Sequence, residues 1–141
     1  MYGKDTETLF SELRHNEDIE KFLSHNQDEF LISQSEFLNR LLRSKNLFKA
    51  EVIKESRIER TYGYHIFAGT KKPSRTKLLA IARAMKLNLP ETQYLLRYMN
   101  QALLYPRNPW DAIIISAIER DLSVEDTNIL LERMGESQML N

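Results

Sequence analysis

At 141 residues the chain has room for one domain, or a small domain with appended elements, and its lack of cysteine excludes disulfides, thiolate zinc sites and thiol nucleophiles. The formal net charge is zero, yet the charge is segregated: residues 1–36 hold three Lys/Arg against nine Asp/Glu, residues 37–86 thirteen against three, and residues 87–141 four against eight. No apolar leader opens the sequence, and the most apolar run, Ala112 to Ile118, is too short for a bilayer, so the expectation is a soluble cytoplasmic protein.

Few prolines and glycines, with abundant Leu, Glu, Lys, Arg and Ala, predict an all-α chain. In the acidic N-terminal part, Leu9, Phe10 and Leu13 suggest one short amphipathic helix. Ile19, Phe22 and Leu23 suggest a second, continuing to Phe30 and Leu31 and capped by Asn16 with Glu17 and Asp18 in its first turn. Ser33-Gln34-Ser35-Glu36 is a capping box, flanked by Ile32 and Phe37 as a hydrophobic staple. It opens a helix carrying Phe37, Leu38, Leu41 and Leu42 and ending near Ser44 to Asn46. A short helix from about Lys49 to Ser56 follows, then a tight connection, then another from about Arg60 to Ala68 closed by Gly69.

Pro73-Ser74 restarts the chain, with Leu78, Leu79, Ile81, Ala82 and Met85 as the next apolar stripe. Asn88 with Glu91 caps a helix bearing Leu95, Leu96 and Met99, and Tyr105-Pro106-Arg107-Asn108-Pro109 breaks the chain again. Asn108 caps a helix from Trp110 to about Arg120 with Pro109 at its first position. Ser123 opens the last helix, with Val124, Thr127, Leu130, Leu131 and Met134 expected inward and Gly135 as its stop. The first few and last several residues are expected to fray. The organisation read from these signals is an acidic extension over 1–32, a central domain over 33–103 and a C-terminal helical hairpin over 104–141.

Two short helices joined by three or four residues, the second closed by glycine and followed by Lys71-Lys72-Pro73, have the layout of a helix-turn-helix. Spacing gives the second helix an inner edge of Gly63, Ile66 and Phe67 and an outer edge of Arg60, Thr61, Tyr64, His65 and Ala68. Lys71 and Lys72 follow on a loop, where ammonium groups suit phosphate contacts. Phe67-Ala68-Gly69, Lys72-Pro73-Ser74 and the run Leu78 to Leu87 make the stretch from about Phe37 to Leu96 resemble the five-helix DNA-binding domain of lambda-repressor-like regulators, the XRE family. Arg60-Thr61-Tyr62-Gly63-Tyr64 and Leu104-Tyr105-Pro106-Arg107 are also similar to Gram-positive members with extra N- and C-terminal helices.

The resemblance implies a five-helix core with flanking helices and a sequence-specific, repressor-type regulator of double-stranded DNA. It implies base contacts from Arg60 and Thr61, with His65 one turn later and Tyr64 on the same edge. Lys49, at the start of the first motif helix, is implied to touch a phosphate; Lys71, Lys72 and Arg75 join it as phosphate candidates. Two positions leave the family pattern. Arg57 stands where the turn usually has glycine, which suggests a turn that does without positive φ or tolerates it at some strain. Gly63 stands where the inner edge usually carries an aliphatic residue, leaving Tyr62 or Tyr64 to supply volume.

Other patterns have simpler explanations. Glu17-Asp18 and Glu125-Asp126 are adjacent helix residues that do not face each other and serve as first-turn caps. His15, His25 and His65 lack metal-ligand spacing, so neither a metal nor a cofactor is expected, and no nucleophile elbow or phosphate loop supports an enzyme. For Lys45, Lys54 and Lys86 a merely solvated face and a phosphate contact both stay open. The isoleucines at 113 to 115 and Ile118 exceed what one core face uses, so Trp110, Ile114, Ile115 and Ile118 are candidates for a homodimer interface, and a two-fold dimer implies a palindromic site. The alternative from a different class is an antitoxin-like or adaptor protein whose acidic termini bind a protein partner.

Overall fold

The computed structural model describes residues 4–15, 18–27 and 32–140, and within them the chain is all-helical, with no strand. Among the described residues nine helices run in order: α1 Thr6–His15, α2 Ile19–His25, α3 Gln34–Ser44, α4 Lys49–Ser56, α5 Arg60–Ala68, α6 Arg75–Ala84, α7 Leu89–Tyr98, α8 Pro109–Glu119 and α9 Val124–Arg133. Among the described residues no helix is long and apolar enough to cross a membrane. The chain divides into two compact units, Met1–Ser33 and Gln34–Asn141.

The first unit is small. Asp18 caps α2 by accepting from the backbone N–H groups of Glu20 and Lys21, so the cap is Asp18 rather than Asn16. Asn16, Glu17, Phe30 and Leu31 lie outside the described residues. The buried Asn26 is tied to α1 by donating from Nδ2 to Glu12 Oε2 (2.9 Å), while Lys4 Nζ donates to Glu12 Oε1 (2.6 Å) and Asn26 Oδ1 (2.7 Å). These bonds, the Lys4 and Asn26 contacts first, hold the Glu12 carboxyl below the ordinary carboxylate range. Phe22 is buried, but Phe10, Leu13, Ile19 and Leu23 of the expected apolar edges are exposed.

In the second unit the elements follow from local rules. Ser74, Asn88, Asn108 and Ser123 each accept a backbone N–H of the helix they open, and Asn88 with Glu91 completes a reciprocal capping box. α4 packs on α6, α3 on α5, α6 on α7 and α8 on α9, with α9 also reaching α6. Phe37, Leu38, Val52, Ile53, Ile66, Phe67, Leu78 and Ile81 bury the interior of α3 to α6. A second cluster joins Leu79, Ala80, Leu96 and Leu104 to Ile114, Ile118, Val124, Leu131 and Met139, so α8 and α9 share a core with α6 and α7.

Two expectations for the end of the chain are corrected. Met134 is exposed and Leu130 only half-buried, because the chain turns back after Gly135 and seats Met139 in the core instead. That returning segment is held rather than frayed: Met139 N donates to Asn128 Oδ1 (2.8 Å) and Trp110 Nε1 to the Ser137 carbonyl (2.8 Å).

Candidate nucleic-acid interface

Helix α5 is fixed at both ends by its own sequence. Glu59 is its N-cap, accepting from Thr61 N at 3.0 Å and Tyr62 N at 2.8 Å. Those backbone bonds, Tyr62 before Thr61, hold the Glu59 carboxyl below the ordinary range. At the other end Gly69 adopts φ +86°, and its N–H and that of Thr70 close on the Ile66 and His65 carbonyls. A Cβ at Gly69 would also lie 2.8 Å from Ser35 Oγ, so glycine is required there twice over. Asn39 of α3 donates from Nδ2 to the Phe67 carbonyl at 2.8 Å, tying the end of α5 to the core.

The inner and outer edges divide as the spacing predicts. Gly63, Ile66 and Phe67 are buried, while Arg60, Thr61, Tyr64, His65 and Ala68 are exposed. Tyr62 and Tyr64 do not supply the volume missing at Gly63. Ile53 of α4 does: a Cβ on Gly63 would meet Ile53 Cγ2 at 2.6 Å. The bulk at this contact comes from α4, and the glycine leaves room for it.

The link between α4 and α5 is only Arg57, Ile58 and Glu59. Arg57 takes the left-handed conformation, φ 65° and ψ 10°, so the turn keeps the geometry for which glycine is favoured and accepts its cost in a β-carbon-bearing residue. The turn is braced from within by Ser56, whose hydroxyl donates to the Ile53 carbonyl (2.6 Å) and accepts from Ile58 N (3.2 Å). Arg57 itself donates to Glu125 Oε2 of α9 at 2.7 Å.

On the exposed edge, the Arg60 guanidinium lies 5.9 Å from the Tyr64 ring centroid. His65 Nδ1 is 2.8 Å from Thr70 Oγ1, and that hydroxyl is also within 3.3 Å of the His65 carbonyl. Either ring tautomer satisfies this pair, so Nε2 is free to be a donor or an acceptor outward. Lys77 Nζ sits 4.2 Å over the Tyr62 ring, and Lys49 Nζ 5.8 Å from Phe67.

Ion pairing sorts the cations of the basic block. Arg40, Lys45, Arg57, Arg75, Arg83 and Lys86 each pair with a carboxylate. Among the described residues no carboxylate pairs with Arg43, Lys49, Lys54, Arg60, Lys71, Lys72 or Lys77. Of these seven, all but Arg43 lie on α4, on α5 or between α5 and the first turn of α6. The loop position singled out Lys71 and Lys72 and the family resemblance Lys49, but Lys77 and Arg43 were passed over, because nothing local distinguishes a paired cation from an unpaired one.

Arg75, expected among the phosphate contacts, is spent inside the protein. It donates to both carboxylate oxygens of the buried Asp111 (3.0 and 2.9 Å) and to the Ala102 and Leu103 carbonyls (2.8 and 3.1 Å). Four bonds leave the guanidinium committed to this cluster, whereas Lys71 and Lys72 are exposed. Of the dimer candidates, Ile114 and Ile118 are buried in this chain's own core, while Trp110 and Ile115 lie half-buried beside it. α8 packs against both α9 and α7, and Ile113 and Ile115 keep part of their surface exposed. No three His, Asp or Glu side chains among the described residues gather as a metal site. No family profile, curated protein or solved structure matches the chain.

Proposed function

We propose that this chain is a sequence-specific, double-stranded DNA-binding transcriptional regulator of repressor type, working in the cytoplasm. In this reading α3 to α7 form a lambda-repressor-like core, α4 and α5 are its helix-turn-helix, and α5 enters the major groove. The observation that carries the reading is the coincidence of an exposed polar edge on α5 with a surrounding set of cations that, among the described residues, no carboxylate neutralises. Phosphates supply the missing negative charge, and base edges match the hydrogen-bonding groups of the exposed edge.

Arg60 reads guanine through O6 and N7, Thr61 takes a hydrogen bond or a thymine methyl, and Tyr64 and His65 extend the reading edge. Lys49, Lys71 and Lys72 bind phosphates; Arg75 is removed from that set. The N-terminal amides of α5 are taken by Glu59, so phosphate binding falls to lysine side chains rather than to this helix end. A homodimer on a palindromic operator remains part of the proposal, but its contact cannot use Ile114 or Ile118 without opening the core.

Selection of duplexes from random DNA at two salt concentrations tests this. Enrichment of a palindrome, with affinity falling steeply as salt rises, is the expected result, and retention of no duplex even at low salt overturns it. A second reading, an adaptor for a protein partner, draws support from the acidic N-terminal segment, whose helices α1 and α2 expose Phe10, Leu13, Ile19 and Leu23. Stoichiometric complex formation with a co-expressed partner, lost on deleting residues 1–32, distinguishes it.

A further inference from the structure

The segment between α7 and α8 is irregular in backbone yet held at nearly every residue. The Gln93 side-chain amide pairs with both backbone groups of Leu104, donating to its carbonyl (2.9 Å) and accepting from its N–H (2.8 Å). Arg75 donates to the Ala102 and Leu103 carbonyls, Tyr105 N donates to Asp111 Oδ2 (3.0 Å), and Asn108 N closes the turn on the Tyr105 carbonyl (3.0 Å). Leu104 is buried to 4% exposure, anchoring the segment in the core. This is a rigid loop, not a slack connection.

What it displays is uncommon for a mere connection. Tyr105 is 57% exposed and Leu103 37%, and Pro106 and Arg107 are exposed as well. Among the described residues Arg107 pairs with no carboxylate. An aromatic and an arginine are thus held outward on an ordered loop, where a partner can meet them with little further loss of backbone entropy.

The topology says where that contact lies. α6 and α7 pack together and are joined by residues 85–88, and the segment after α7 is bonded to the start of α6. The Arg75 bonds to Ala102 and Leu103 make this direct, since Arg75 is the first residue of α6 and follows Lys71, Lys72 and Ser74 in the chain. The loop therefore emerges at the end of the unit from which the two unpaired lysines issue.

We infer that the Leu103–Arg107 loop is a second DNA-contacting element, with the Arg107 guanidinium and the Tyr105 hydroxyl on backbone phosphates flanking the duplex read by α5. This rests on the DNA-binding reading above and deepens it. Arginine and tyrosine are both common phosphate donors, and such contacts fix register without reading sequence. The Gln93 clamp and the Arg75–Asp111 pair are positioning groups that set the loop before DNA arrives.

The full chain is tested on a selected duplex and on an unrelated duplex of equal length. Arg107→Ala is expected to weaken both complexes roughly three- to tenfold and to flatten the log–log salt slope by about one unit. Arg107→Lys should restore the slope, and the Tyr105→Ala/Arg107→Ala double variant should lose hydroxyl-radical protection at the outer edges of the footprint. Because neither side chain takes part in the bonds that hold the loop, melting temperatures should not move. Arg120→Ala is the control, since Arg120 is exposed at the far end of α8 from this loop. An unchanged slope for Arg107→Ala in a wild type that binds DNA overturns the inference and leaves the DNA-binding reading standing. So does an equal change in Arg120→Ala. A wild-type chain that binds neither duplex overturns both.

Discussion

Gly63 shows at the level of one residue how a departure from a pattern is resolved. Helix propensity favours Gly63→Ala by about 1 kcal/mol. Packing opposes it, because the new methyl would stand 2.6 Å from Ile53 Cγ2, a branched side chain that is itself buried. Overpacking of this kind costs about 1–3 kcal/mol, so Gly63→Ala is expected to lower the urea midpoint, and Ile53→Ala, costly by itself, to cost less in that variant than in the wild type. Additive losses would show that the two residues do not share this space. Arg60 and Lys71 are contrasted the same way on DNA. Arg60→Ala should cost about 1–3 kcal/mol on the selected site and relax one base pair, whereas Lys71→Ala should weaken all duplexes alike and reduce the salt slope by about one unit. Equal loss on every sequence for Arg60→Ala would make it a phosphate contact instead.

At the level of the element, the helix starts were legible and the helix ends less so. Ser, Asn and Pro at the starts of α6 to α9 are local chemistry, and the structure uses them as caps. Glycine marks the ends of α5 and α9, but Asn46, Arg57, Lys86, Asn100 and Asp121 take the same left-handed conformation with φ between 52° and 65°. No sequence rule singles out a lysine or arginine for that role, since the turn is imposed by the packing on either side of it. Glu59 is the cap that spacing overlooked, and it gives α5 a pH dependence. Its pKa is lowered in the folded state, so its contribution is complete above the ordinary carboxylate range and is lost as pH falls through the folded value. Glu59→Gln should therefore melt below wild type at pH 7, with the gap closing under acid conditions. A gap that persists in acid would assign the loss to packing rather than charge.

Across the whole molecule, two arginines of α6, the buried Arg83 and the half-buried Arg75, join α6 to the segments at either end of α8. Arg83 of α6 is 2% exposed and donates to the Leu87 carbonyl (2.6 Å), the Leu122 carbonyl (3.0 Å) and Asp121 (3.3 Å). Burial pulls its pKa below the usual guanidinium value, and Asp121 opposes that. Arg75 with Asp111 links the starts of α6 and α8 and the loop between α7 and α8. Removing one partner of a buried pair strands the other, so Asp111→Ala should cost about 3 kcal/mol in chemical denaturation. A cost well below about 1 kcal/mol would mean that water already solvates Arg75.

The amino-acid sequence by itself determined the all-α class, the bounds of α4 and α5, the caps of α6 to α9 and the division of α5 into inner and outer edges. All of these rest on neighbours within about one or two helical turns, where periodicity and capping chemistry act. It could not decide which cations of the basic block are paired, since Arg75 meets Asp111 and Arg57 meets Glu125 across 36 and 68 positions of chain. Nor could it decide that Ile114 and Ile118 are core, that Ile53 fills the place of Gly63, or that Met139 replaces Met134 inside. Those outcomes depend on which helices are brought together. Burial and ion pairing belong to pairs of elements, and only the tertiary structure says which pairs exist.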